Sequence, residues 1–343
     1  MRPRRSGFPT AALYLCRVKI LILQTAFLGD VVLATPLIEK LHRHFPTAQI
    51  DFLLRKGNEG LLRGHPALRQ TLIWDKSGGK YRNLWRMLWR IRRERYDLVV
   101  CCQRFAAAGW LTALSGAGQT VGFDKNPMSV FFSRRLPHRI GDGGHETDRN
   151  LSLIRHLTDA LPERPRLYPA KADFEAAAEA AGPGAYVCIA PTSVWFTKQW
   201  PAEKWLELIA RIPPSHRVLL LGAPSDEPAC TTIARMAGSE RVQNLAGRLS
   251  LLQSAALLAG ASMNYVNDSA PLHLASAMNA PVAAVFCSTL PAFGFGPLSD
   301  RRFLIETTAS LPCRPCGLHG KKACPKGHFN CALTIGAEQF PLP

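Results

Sequence analysis

A chain of 343 residues with 47% hydrophobic and 20% charged side chains has the balance of a globular protein and more length than one core fills, so two domains are expected. No apolar run approaches the roughly 20 residues that a membrane-spanning helix needs, so no such helix is expected. A formal charge of +17 implies anionic company: nucleic acid, a phospholipid surface or phosphorylated substrates.

In chain order, residues 1–17 combine a basic start with a short mixed apolar part and no clean small-residue cleavage site, so they are expected to be a disordered leader rather than a signal peptide. Residues 18–23 are, Lys19 apart, an apolar run rich in β-branched side chains, as in a strand buried on both faces. In the segment 23–36 (LQTAFLGDVVLATP), Gly29 is expected to turn the backbone tightly into a helix beginning near Asp30. Asp30 then reads either as a general base projecting from a strand end or as the N-cap of that helix. Further strand-like runs at 49–54, 71–74, 97–102 and 120–123 alternate with helical ones, the mark of a mostly parallel sheet with helices on both faces.

Within that alternation, residues 81–95 (YRNLWRMLWRIRRER) set Tyr81, Leu84, Leu88 and Ile91 at helical spacing beside a stripe of Arg82, Arg86, Arg90 and Arg93. Trp85 and Trp89 stand one turn apart. The layout suits either a membrane interface or a core-packed helix with a solvated basic face. Stretches rich in Gly, His, Arg and Pro at 134–145 and 162–169 bracket a helix expected from Thr147, which puts the domain boundary near residue 170.

Strand-like runs resume at 186–190, 217–221, 242–245, 262–266 and 282–286, giving a first domain over 18–170 and a second over 171–310. The segment 187–201 (VCIAPTSVWFTKQWP) ends a buried strand in a polar loop with Thr192, Ser193, Thr197 and Lys198. The segment 266–273 (VNDSAPLH) reads as strand, tight turn and helix start. It would bring the backbone N–H groups from Ser269 through Leu272, the Asp268 carboxylate, the Ser269 hydroxyl and the His273 imidazole to one spot suited to a nucleotide or phosphate. Asp268 or Ser269 there equally reads as an ordinary N-cap.

Of ten cysteines, Cys101, Cys102 and Cys188 lie in strand-like runs, where a thiol behaves as a small hydrophobe. The others of interest form Cys313-x2-Cys316-x7-Cys324-x6-Cys331 in a tail over 311–343. That spacing allows a structural zinc in a closed four-thiolate site, with His319 and His328 as substitute ligands, and also allows disulfides or plain reduced thiols.

Three loops together resemble glycosyltransferase family 9, the lipopolysaccharide heptosyltransferases. In that family a GD loop (here Gly29-Asp30), a K-x-W-P loop (Lys198 to Pro201) and a D-[ST]-x-x-x-H turn (Asp268, Ser269, His273) occur in this order. The resemblance spans most of the chain and implies an α/β fold of GT-B architecture, two doubly wound Rossmann-like domains facing a cleft. It implies inverting transfer of heptose from ADP-heptose to a phosphorylated lipid A or inner-core acceptor, with no cofactor needed for catalysis. The enzyme would be cytoplasmic, peripheral at the anionic inner face of the inner membrane, and without a nucleic-acid partner. Another nucleotide sugar as donor is the alternative, and a basic nucleic-acid-binding protein a distant one suggested by charge alone.

Carried over residue by residue, the resemblance makes Asp30 the base and Lys198 the stabiliser of the departing diphosphate. It places Thr192, Ser193, Lys198, Asp268, Ser269, Ala270, Pro271 and His273 at the donor. Two positions depart from the family pattern. Ala270 replaces the usual glycine of the turn. Leu252, followed by Gln253, stands sixteen residues before Asp268, where the family often has an acid that contacts the nucleotide.

Overall fold

The computed structural model describes residues 18–77 and 79–343, and the expected leader at 1–17 lies outside the described residues. The chain divides into two compact units. The first runs to Arg139 and resumes over Glu146–Tyr168, while the second takes Ile140–His145 and Pro169–Pro343.

The first unit contains β1 (Lys19–Leu23), α1 (Leu28–Val32), α2 (Thr35–His44), β2 (Gln49–Arg55), β3 (Leu68–Trp74), α3 (Lys80–Glu94), β4 (Leu98–Cys101), α4 (Ala106–Ala113), β5 (Gln119–Phe123), β6 (Arg134–Leu136) and α5 (Glu146–Ser152). The second contains α6 (Lys171–Ala181), β7 (Tyr186–Ala190), α7 (Ala202–Arg211), β8 (Arg217–Leu220), α8 (Glu227–Ala237), β9 (Val242–Asn244), α9 (Leu251–Gly260), β10 (Asn264–Asn267), α10 (Ala270–Ala277), β11 (Val282–Phe286), β12 (Arg302–Glu306) and α11 (Asn330–Leu333).

Each unit is a six-stranded sheet, ordered β3-β2-β1-β4-β5-β6 in one and β12-β11-β10-β7-β8-β9 in the other. Every ladder is parallel, as the continuous apolar runs require. In both units the strand order reverses beside the first strand, between β1 and β4 and between β7 and β10. That is the doubly wound Rossmann arrangement, and the pair of units gives the α/β, GT-B class. Ligands of such sheets bind outside the strand carboxyl ends at the reversal, which here means the loops after β1, β7 and β10.

Leu21, Leu23, Leu53 and Leu72 of the first sheet pack against Met87, Leu88 and Ile91 of α3. In the second, Val187, Ile189, Val218 and Leu220 meet Trp205, Leu208 and Ile209 of α7. Each fully buried side chain of this size contributes about 1.5–3 kcal/mol. α3 thus has a core-packed face, while Tyr81, Trp85 and Trp89 stay exposed on its other sides. Tyr81 and Trp85, with Trp110 and Leu114, border an apolar groove of about 410 Å³.

Two edge strands, β6 and β12, were not expected from the sequence. Both are short and half-exposed, and both carry arginines (Arg134, Arg135, Arg302) that keep an open edge from pairing with another chain. Residues 311–343 are not an appendage: Cys331, Ala332, Ile335, Ala337 and Phe340 belong to the second core. The Trp200 indole N–H donates to the Ile335 carbonyl (3.3 Å), and its ring lies 4.8 Å from Phe340 and 4.9 Å from Trp205. Among the described residues no helix is long and apolar enough to cross a membrane.

Candidate functional site

At the reversal in the second sheet, Asn267 ends β10 and ties two loops together. Its Oδ1 accepts the Trp200 N–H (2.9 Å), and its Nδ2 donates to the Ala190 carbonyl at the end of β7 (3.5 Å). Trp200 is buried, so the K-x-W-P loop is anchored by its tryptophan and presents Lys198 beside the turn after β10. Thr197 is also buried. Its N–H donates to the Lys321 carbonyl (3.1 Å), and its Oγ1 accepts from the Lys321 N–H (2.8 Å) and the Ser288 hydroxyl (2.9 Å).

So held, Lys198 Nζ lies 2.7 Å from Asp268 Oδ2. The same oxygen accepts the Thr289 hydroxyl at 2.7 Å. Both charged side chains are largely shielded from solvent, with 14% and 6% exposure. For such a pair desolvation offsets much of the attraction, and losing one partner costs more than the pair contributes.

Ser269 precedes α10 in extended conformation, but its hydroxyl donates to the Asn267 carbonyl (3.4 Å) and accepts no helix N–H. Ser269 thus holds the N-cap position, as one reading of the sequence had it, but its side chain does not cap the helix. Ala270 opens α10 without a positive φ, so the methyl in place of hydrogen creates no backbone strain. The expected set of four backbone donors shrinks: Pro271 has no N–H and the Leu272 N–H bonds the Ser269 carbonyl (3.1 Å), leaving Ser269 and Ala270.

His273 is buried one turn further on, and its Nδ1 has no hydrogen-bond partner among the described residues. Burial pushes its pKa down to about 4. The positive fields of His145 and Lys198 add to this, and the Asp268 carboxylate opposes it. The imidazole is neutral at pH 7, with one ring nitrogen left for a ligand. His145 reaches the site from the inserted segment 140–145, where its Nε2 is 3.1 Å from the Gly296 carbonyl. Sequence reasoning missed it, as it missed Thr289.

Thr192 and Ser193 are half-buried in the loop after β7, and Gln199 braces that loop by donating to the Ser193 carbonyl (2.6 Å). Leu252 is a core residue of α9, and Gln253 shares a capping box with Ser250: it donates its backbone N–H to Ser250 Oγ (3.2 Å) and accepts the Ser250 N–H (2.8 Å).

In the first unit Gly29 and Asp30 follow β1 at the corresponding reversal. Gly29 does not make a left-handed turn. It is buried inside α1, because residues 24–27 have already turned the chain, with the Ala26 N–H on Gln24 Oε1 at 3.3 Å. Asp30 is not the N-cap, a place Phe27 holds. As third residue of the helix it accepts the Phe27 N–H at 3.2 Å, and it remains partly exposed. Nearby, Lys76 Nζ donates to the Thr25 carbonyl (2.9 Å) and hydroxyl (3.1 Å) and sits 4.8 Å over the Trp74 ring. Burial and the neighbouring Arg55 lower the Lys76 pKa.

Cys101, Cys102 and Cys188 are buried thiols in or beside strands. Cys313, Cys316, Cys324 and Cys331 line one cavity of about 450 Å³ with His328, whereas His319 is not among its walls. Among the described residues no three His, Cys, Asp or Glu side chains are grouped at metal-ligating separation.

Residues 84–324 match the model of glycosyltransferase family 9 (heptosyltransferase). The chain is 30% identical over 331 residues to lipopolysaccharide heptosyltransferase 1 of Pseudomonas aeruginosa, covering 90% of this chain and 87% of that one. Its fold is similar to that of Escherichia coli ADP-heptose lipopolysaccharide heptosyltransferase II, with TM-score 0.78, 19% identity and coverage of 94% and 96%. It is also similar to E. coli heptosyltransferase WaaC with ADP, with TM-score 0.70, 21% identity and coverage of 94% and 97%.

Proposed function

The chain belongs to glycosyltransferase family 9 and is a glycosyltransferase, and from that premise we propose that it transfers heptose from ADP-heptose to a phosphorylated lipid A or inner-core acceptor with inversion at the anomeric carbon. The observation that carries this reading is the cluster of Lys198, Asp268 and neutral His273 at the sheet reversal of the second unit. A nucleotide diphosphate suits that place: its charge meets Lys198, the N–H groups at the start of α10 offer donors, and His273 Nδ1 offers a further polar contact. Thr192 and Ser193 supply hydroxyls from the Lys198 loop.

Transfer needs a base for the acceptor hydroxyl, and Asp30 is that base. As the hydroxyl oxygen attacks the anomeric carbon, its proton passes to the Asp30 carboxylate and the bond from that carbon to the diphosphate oxygen breaks. Negative charge then grows on the leaving ADP, where Lys198 stabilises it more than in the substrate complex. The exposed arginines of α3 and its tryptophans hold the enzyme at an anionic membrane face, on the cytoplasmic side where the nucleotide sugar is available.

Release of ADP on incubation with ADP-heptose and a truncated lipopolysaccharide acceptor tests the reading, with the product's anomeric configuration as the test of inversion. A panel of other nucleotide sugars tests the donor. Turnover only with a different sugar nucleotide would replace the heptosyl reading while leaving the class of reaction intact.

A further inference from the structure

We propose that the groove between α3 and α4 holds an acyl chain of the acceptor lipid and delivers its anionic head to the carboxyl ends of β1 and β4. The inference rests on the reading of the acceptor as a phosphorylated glycolipid. Buried Leu88 and Leu111 form the floor of the groove, and exposed Trp85 and Trp110 border it, one from each helix. Among the described residues no charged side chain lines it. Burying such walls removes apolar surface from water. A peptide or a sugar would bring polar groups that they cannot satisfy, whereas a run of methylenes brings none.

The groove has a direction. Both helices begin at the carboxyl ends of strands, α3 after β3 and α4 after β4, so Tyr81, Ala106 and Ala107 mark the end nearest the sheet reversal. Asn126 fixes that end of α4 by donating to the carbonyls of Gln103 (2.8 Å) and Phe105 (3.1 Å). About 12 Å further along the axis, at Leu114, the Arg92 guanidinium donates to the Leu114 carbonyl (2.8 Å) and bridges the two helices.

Ala107 also borders a second cavity, of about 190 Å³, walled by Thr25, Trp74, Lys76, Gln103 and Phe105 at the loops after β1, β3 and β4. A chain lying with its tail toward Arg92 therefore brings its head to this cavity, in the unit that carries Asp30. There the Lys76 ammonium meets the neutral Thr25 carbonyl and hydroxyl rather than an acid.

Charge selects the kind of lipid. Round α3, at about 100° per residue, the core face of Met87 and Ile91 gives way to the groove wall of Leu88 and Trp85, then to Trp89, and then to Arg82, Arg93 and Arg86. The acid of this helix, Glu94, is already held by Arg69 (2.7 Å) and Lys19 (3.4 Å). The arginines beside the groove thus favour a lipid whose head carries phosphate. They disfavour a second copy of the chain, because a symmetric pair would bring two such stripes together.

Dodecyl phosphate, a single-chain amphiphile, is titrated below its micelle concentration into the full chain by calorimetry, with no nucleotide sugar present. It should bind at about one per chain and at least about tenfold more tightly than butyl phosphate, because each methylene taken from water adds affinity. Trp110→Glu, which sets a carboxylate in the exposed wall, should weaken binding at least about tenfold, and Trp110→Phe should keep it. Equal affinity for the two phosphates, several molecules bound per chain, or no effect of Trp110→Glu overturns the groove as an acyl site. A dimer that Trp110→Glu separates in sedimentation overturns it in favour of a second copy.

Binding is read without a donor, so it stands apart from which sugar is transferred. For the acceptor, kcat/KM on a truncated lipopolysaccharide is divided by kcat/KM on the same saccharide after deacylation. Trp110→Glu should lower that ratio at least about tenfold, while Val130→Glu, at an exposed apolar residue outside the groove, should leave it unchanged. A ratio that Trp110→Glu does not move assigns the groove to bulk membrane lipid and overturns the acceptor's place in it. Turnover on neither form overturns the glycolipid reading itself, whatever the binding shows.

Discussion

The Lys198 ammonium and the Asp268 carboxylate lie 2.7 Å apart, so the cation of one loop is neutralised by the acid of another, with Thr289 completing the acid's contacts. An anion arriving at Lys198 therefore shares it with Asp268, and the stabilisation left for the leaving group appears mainly as its charge grows. Lys198→Ala should lower kcat by roughly ten- to two-hundredfold with a smaller change in donor KM, the range of a charge-assisted hydrogen bond worth about 1.5–3 kcal/mol. Steady-state kinetics decide it, and a rise in KM alone with kcat intact would refute the assignment.

Asp30→Asn should lower turnover at least about a hundredfold while donor affinity stays within a few-fold, since only the acceptor's proton depends on the carboxylate. The amide oxygen of Asn can still accept the Phe27 N–H, so the variant should keep nearly all its stability. A loss above about 2 kcal/mol in denaturant unfolding would mark the residue as structural.

Buried His273 makes stability depend on pH in a defined direction. Its folded pKa of about 4 is below the ordinary value of 6.5, so as pH falls the unfolded chain takes up this proton first. The contribution is complete above pH 6.5, declines as pH drops toward about 4, and amounts to about 3 kcal/mol at most. Urea unfolding across that window should show the decline in wild type and a flatter profile in His273→Gln; parallel profiles would refute it.

Arg82, Arg86, Arg90 and Arg93 are exposed along α3, beside Trp85 and Trp89. Binding to vesicles containing phosphatidylglycerol should exceed binding to pure phosphatidylcholine, each arginine contributing roughly 1 kcal/mol at modest salt. Raising salt toward about 1 M should abolish the difference, as the screening length falls to about 3 Å. Equal binding to both vesicles would make the stripe merely a solvated face.

The interior strands were legible in the sequence because a strand buried on both faces is apolar throughout, as in Ile20 to Leu23. Of the edges, β6 and β12 were not, since Arg134, Arg135 and Arg302 face solvent and erase the pattern. Lys198, Asp268 and His273 could each be picked from local motifs. Their contacts could not, because Thr289 follows another strand, His145 comes from a segment inserted from between parts of the other unit, and Lys321 is 124 positions from Thr197. Gly29 misled for a physical reason: a glycine before an acid suggests a sharp turn, yet the Gln24 side chain makes the turn earlier.

The tryptophan that anchors the Lys198 loop completes its surroundings only with a segment 135 positions further along the chain. On a ribosome adding about 5–20 residues per second, Trp200 emerges roughly 7–27 s before Ile335 and Phe340 can cover it. The first unit has most of its sheet in hand long before then, whereas the second must wait with an uncovered indole. Synthesis therefore leaves the core of the second unit open until this last segment has been made, while that of the first can close earlier.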